Sequence, residues 1–108
     1  MYYEIRMYTP NKGKLEEYAE LFHTYPEKVF EKLGASLVGM WSVDESDGQP
    51  AFVFMIAYRS KEHREEVFSK LGEQAEMQEY RPKRGPLIDS NIPSATWVLN
   101  PVAYSKMK

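Results

Sequence analysis

The stretch that most constrains this chain is Ala51-Phe52-Val53-Phe54-Met55-Ile56-Ala57-Tyr58. Odd and even positions are both apolar, so a strand built from it must be covered on both faces. A helix layer can cover one face. A chain of 108 residues has little left to cover the other. The expectation is a central strand with helices on one side and a second copy of the chain on the other.

The length suits one domain, taken here as residues 1–108, with a modest core. The chain carries 14 basic and 16 acidic residues, a net charge of −2, which argues against general affinity for DNA or RNA phosphate. Arg81-Pro82-Lys83-Arg84 is too short a basic run to change this and reads as a loop following a helix. With no cysteine, thiol nucleophiles, disulfides and Cys-based zinc sites are excluded. Two histidines without a fixed spacing make no metal site, and no glycine-rich phosphate loop is present, so no metal and no cofactor are expected. No apolar run approaches the roughly 18 residues of a membrane span, and Met1–Arg6 lacks the basic-then-apolar pattern of a signal peptide. The expected setting is the cytoplasm.

Tyr2–Thr9 alternates, with Tyr3, Ile5 and Met7 on one face and Tyr2, Glu4, Arg6 and Tyr8 on the other. The first set is assigned to the helix layer and the second to the opposite, barrel face. Pro10–Gly13 turns the chain, with Asn11 as a candidate helix cap. Leu15, Tyr18, Ala19 and Phe22 then follow helical spacing. Pro26 breaks the helix near Thr24-Tyr25 and restarts it, carrying Val29, Phe30 and Leu33 inward to a stop at Gly34.

Ala35–Val43 reads as a second strand, with Leu37, Gly39, Trp41 and Val43 on one face and Val38 and Met40 on the other. Asp44–Pro50 is a polar hairpin loop containing Asp47-Gly48. After the central strand, Ser60 can cap a helix whose inner stripe is Arg64, Val67, Phe68 and Leu71. Gly72 interrupts it, Glu73–Tyr80 forms a further short helix before Pro82, and Ser94–Asn100 is the last strand. The order β-α-β-β-α-β is an α+β, ferredoxin-like arrangement: a four-stranded antiparallel sheet with its helices on one face. Two such sheets packed face to face would form a dimeric α/β barrel.

Several pieces resemble the NIPSNAP family. They are the opening Tyr3-Glu4-Ile5-Arg6-Met7-Tyr8, Gly13-Lys14-Leu15, Phe22-His23 with Pro26, Leu37-Val38-Gly39-Met40-Trp41, Ala57-Tyr58 with Ser60 and Arg64, and Gln78, Tyr80, Pro82-Lys83 and Pro86-Leu87. Met77 departs from the pattern where the family often carries a tryptophan. The resemblance runs from Tyr2 to about Pro101 and implies a dimeric α+β barrel. It implies no settled reaction: vesicle transport is suggested for animal relatives, and more distant barrel relatives include haem-degrading and quinol-oxidising monooxygenases.

Glu4, Arg6 and Tyr8 share a strand face, where an acid and a base can pair side by side. The pair either sets strand register or lines a cleft in which Arg6 holds an anionic or carbonyl-bearing ligand. His23, beside the proline break and at a position the family resemblance covers, is the candidate proton-transfer group; a helix-end histidine can equally just bond a free carbonyl. His63 sits at the rim of a helix stripe and is the weaker candidate. Trp41, Tyr58 and Trp97 lie on strands, where they could hold a flat apolar ligand or pack a homodimer interface. The leading expectation is a homodimer binding or modifying a small apolar molecule in a barrel cavity. The alternatives are a cofactor-independent monooxygenase or isomerase, and a protein-interaction module.

Overall fold

The computed structural model describes residues 1–43 and 50–108; the expected hairpin turn at Asp47-Gly48 lies outside them. Its strands are β1 (Tyr2–Tyr8), β2 (Ser36–Val43), β3 (Ala51–Tyr58) and β4 (Ala95–Leu99). The helices are α1 (Leu15–Thr24), α2 (Pro26–Lys32), α3 (Lys61–Leu71) and α4 (Ala75–Arg84), the last followed by a 3-10 turn, Gly85–Leu87. The strands form one antiparallel sheet in the order β2-β3-β1-β4. The doubly apolar β3 is therefore interior, and all four helices lie on one side of it.

The core is aromatic. Phe52, Phe54 and Ile56 of β3 are buried beneath Tyr18 and Phe22 of α1 and Val29 and Phe30 of α2. The Phe22 and Phe54 rings lie 4.4 Å apart, and Tyr18 meets Phe52 edge-on at 5.2 Å, geometries that add to the burial of the rings themselves. Met77 fills its core position, 8% exposed. Gly34 ends α2 with φ +87, a conformation that costs glycine nothing and side-chain-bearing residues more. Among the described residues, no helix is long and apolar enough to cross a membrane.

Four expectations change. Asn11 does not cap α1; its side chain donates to the Pro86 carbonyl at 3.0 Å and ties the β1–α1 turn to the far end of the chain. The fourth helix runs through Pro82 to Arg84. An exposed last turn can lose one N–H bond to water, so the basic run is helix rather than loop. A bulge between Leu37 and Gly39 breaks the alternation of β2, so Leu37 packs on the core while Gly39, Trp41 and Val43 turn away from it.

The fourth change is the largest: the two faces of β1 are reversed. Glu4, Arg6 and Tyr8 pair across the sheet with Ile56, Phe54 and Phe52 and point into the helix layer, while Tyr3, Ile5 and Met7 face outward. The physical reason is α3, which brings Arg64 to Glu4 and so makes burial of a carboxylate tolerable. The outward face is then the apolar one. With Tyr3, Ile5 and Met7 it carries Val53 and Met55 of β3, Trp41 and Val43 of β2, and Trp97 and Leu99 of β4. Trp41 and Trp97 are 49% and 50% exposed.

Candidate functional site

Glu4 is wholly buried, and three groups hold its carboxylate. Arg6 Nε donates to Oε1 at 2.9 Å, Arg64 Nε donates to Oε2 at 2.6 Å with Nη2 also against that oxygen, and the Tyr58 hydroxyl donates to Oε1 at 3.3 Å. Both guanidiniums stack on Phe68, at 4.6 and 4.7 Å from its centroid. Burial and then the neighbouring carboxylate push the Tyr58 phenol above its usual range, so it remains a donor at neutral pH. Both carboxylate oxygens have donors, and the contact with Arg64 ties α3 to the sheet.

Tyr8 continues this line toward the end of β1. Arg6 Nη1 donates to its hydroxyl at 3.4 Å, and its ring packs against Tyr18 and Phe54. Beyond it, the Tyr18 and Tyr80 hydroxyls share a hydrogen bond at 2.7 Å. Burial raises both phenol pKa values, strongly for Tyr18. Arg84, the last residue of α4, lies over the Tyr8 ring at 5.2 Å.

Of these residues Tyr8 and Arg84 reach a cavity of about 270 Å³, which lies between Tyr8, Thr9 and Arg84 on one side and Ile88, Asp89, Ile92 and Ser94 on the other. The far wall is pinned: Asp89 N–H donates to the Thr9 carbonyl at 2.9 Å, and Asn11 N–H donates to the Leu87 carbonyl at 2.8 Å. A larger hollow of about 550 Å³ lies between α1 and the 3-10 turn, but it is an open surface trough in which Glu17, Glu20, Thr24 and Lys83 stand beside Leu21, Tyr25, Pro86 and Leu87. The smaller cavity has the features of a binding site: aromatic and aliphatic walls with a few convergent polar groups.

The expected site residues thus divide. Tyr8 lines the cavity, whereas Glu4, Arg6 and Tyr58 form the closed network beside it. Trp41 is on the opposite face of the sheet, with its ring lying over Gly39. His23 stands on the helix surface, its side chain 58% exposed and its Nδ1 2.6 Å from Glu27 Oε2. His63 is buried and committed: its Nδ1 accepts from Arg59 N–H at 3.1 Å, which leaves Nε2 to donate to the Leu33 carbonyl at 3.0 Å. Among the described residues, no three His, Asp or Glu side chains gather as metal ligands. Arg84 is the residue the sequence did not single out; only its place beyond Tyr80 in a helical reading of the basic run would have found it.

The same architecture is found in solved structures. A NIPSNAP domain protein from Burkholderia xenovorans is 25% identical, with a TM-score of 0.82, over 97% of this chain and 98% of that one. A NIPSNAP family protein from Agrobacterium tumefaciens is 28% identical, with a TM-score of 0.77, over 99% and 98%. SnoaB, a cofactor-independent oxygenase from Streptomyces nogalater, shares the fold at 8% identity and a TM-score of 0.59, over 99% and 97%. No curated protein matches the chain. The NIPSNAP family profile matches residues 3–106. With the fold, the order of its elements and that match in agreement across nearly every residue, the chain belongs to the NIPSNAP family.

Proposed function

We propose that this protein is a homodimer, joined through the outward sheet face, that binds or modifies a small, mostly apolar molecule in the cavity beside Tyr8. The observation that carries the assembly is the outward face: no strand places a charged side chain there, and two tryptophans stand half-exposed. An antiparallel sheet facing water would alternate apolar with polar residues, and a contiguous apolar surface of this kind marks an interaction site. An uncharged face offers nothing to select a charged partner. A second copy matches it, because a twofold axis sets the same patch against itself. Tyr8 and Arg84, which line the cavity, lie on the helix side of the sheet, away from the face that a second copy would cover.

Light scattering at micromolar concentration tests the assembly. A particle of twice 12.6 kDa is expected, and a monomer refutes it. A cofactor-independent oxygenase is the second reading, favoured by the shared fold of SnoaB. Fold alone is a weak guide to chemistry, so its test is direct: oxygen uptake with quinol substrates by the wild type and by Tyr8→Phe. No uptake above background leaves a binding protein.

A further inference from the structure

The half-buried arginines on the helix side of the sheet are unequally paired. Among the described residues the half-buried arginines are Arg6, Arg64 and Arg84. The first two share the single carboxylate of Glu4, which already leaves one positive charge in excess. Arg84 has no carboxylate within 4.0 Å among the described residues. Its immediate surroundings are phenols. Burial opposes its charge, while the oxygens of Tyr80, Tyr18 and Tyr8 outweigh that effect and raise its pKa. Asp89 lines the same cavity but forms no ion pair with Arg84, so the partly desolvated guanidinium lacks a direct partner of opposite sign, which a charge removed from water needs.

We infer that the cavity beside Tyr8 is a carboxylate site, in which Arg84 takes the acid group of a small aromatic or aliphatic acid and Tyr8, Ile88 and Ile92 hold its apolar body. The inference rests on the proposed ligand-binding function and gives the ligand its chemical class. The Tyr8 ring, 5.2 Å from Arg84, gives the guanidinium an aromatic support, and a planar guanidinium presents parallel N–H groups that match a carboxylate in bidentate fashion. A volume of about 270 Å³ lies just below the usual range for drug-sized ligands and suits a single-ring or short-chain acid.

Asp89 decides between anions. It lines the same cavity, and its Oδ1 accepts the Asn91 N–H at 3.0 Å. One guanidinium set against one carboxylate tolerates a single negative charge better than a double one. A monoanionic acid is therefore preferred to a phosphate, and Asp89 weakens binding of either.

The test uses two probes of one shape, 3-phenylpropionate and 3-phenylpropanamide, titrated into the full-length protein and followed by amide chemical shifts. The acid should bind about tenfold or more tightly than the amide, the usual worth of a charge-assisted hydrogen bond. In Arg84→Gln the two should become equal to within about twofold, a ratio read against the 1.4 kcal/mol that makes a factor of ten. Asp89→Asn keeps an oxygen for the Asn91 N–H and should strengthen acid binding. Circular dichroism checks that each variant is folded.

Equal binding of both probes to the wild type, or an unchanged ratio in Arg84→Gln, overturns the carboxylate assignment and leaves the proposed function standing. Tighter binding of inorganic phosphate than of the acid overturns the choice of anion. Shifts that map away from Tyr8, Thr9 and Ile88 overturn the location. Binding of neither probe at millimolar concentration counts against the cavity as a ligand site, and the proposed function falls with it.

Discussion

Replacing Glu4 by Gln removes one negative charge and hardly any volume. The amide oxygen can still accept a hydrogen bond, but its nitrogen now faces an arginine donor. Arg6 and Arg64, stacked against the same Phe68 ring, lose the carboxylate that holds them together. Breaking a buried pair by removing one partner costs about 3–5 kcal/mol. The arginine side chains are 21% and 25% exposed, so water takes up part of the load and the lower end, about 3 kcal/mol, is expected. With a urea slope of roughly 1.5 kcal/mol per molar for a chain of this size, the unfolding midpoint should fall by about 2 M. The measurement is urea denaturation followed by far-UV circular dichroism, at one fixed protein concentration because the proposed dimerisation would also contribute to apparent stability. Adding Arg64→Met to Glu4→Gln removes the repulsion and should recover part of the loss, a coupling of about 1 kcal/mol or more. If Glu4→Gln costs less than about 1 kcal/mol, the network does not fasten α3 to the sheet and the reading of this site is wrong.

His63→Ala should orphan the Leu33 carbonyl and the Arg59 N–H at about 1–3 kcal/mol for each group, read as a fall in urea midpoint; an unchanged midpoint would mean water replaces the ring. Val53→Lys, in the interior strand of the outward face, should leave 12.6 kDa monomers in light scattering, whereas a persisting dimer would place the interface elsewhere. Tyr18, Tyr58 and Tyr80 have phenol pKa values raised by burial. The stability tied to them is complete below the unfolded tyrosine value of about 10. It is lost as pH climbs above that, because the unfolded chain then releases protons that the folded one keeps. Absorbance near 295 nm should show three of the eight tyrosines ionising only as the protein unfolds; ionisation of all eight with the circular dichroism intact would contradict the packing.

The element order and the interior strand were legible because periodicity changes cleanly between Tyr8 and Leu15 and again between Tyr58 and Val67, with Pro26 and Gly34 as punctuation. Face assignment was not. Period-two alternation states that Glu4 and Tyr3 oppose each other, but which one meets the helices depends on a partner sixty residues away, Arg64. A rule that buries the apolar set chose wrongly. The β2 bulge was equally hidden, since one extra residue leaves the apolar count of the strand unchanged. The ligand candidates scattered for the same reason: Tyr8, Trp41 and His23 are brought near or kept apart by register and helix phase, which local sequence does not encode.

The irregularity in β2 has an effect on how the protein can associate with itself. β2 is one border of the sheet, and an unbroken border strand offers free N–H and C=O groups on which another molecule's strand can grow. The break between Leu37 and Gly39 interrupts that template, and β4, the opposite border, spans only Ala95–Leu99. Open-ended ribbon growth is thereby discouraged at both margins, which favours the proposed closed pair over an extending array.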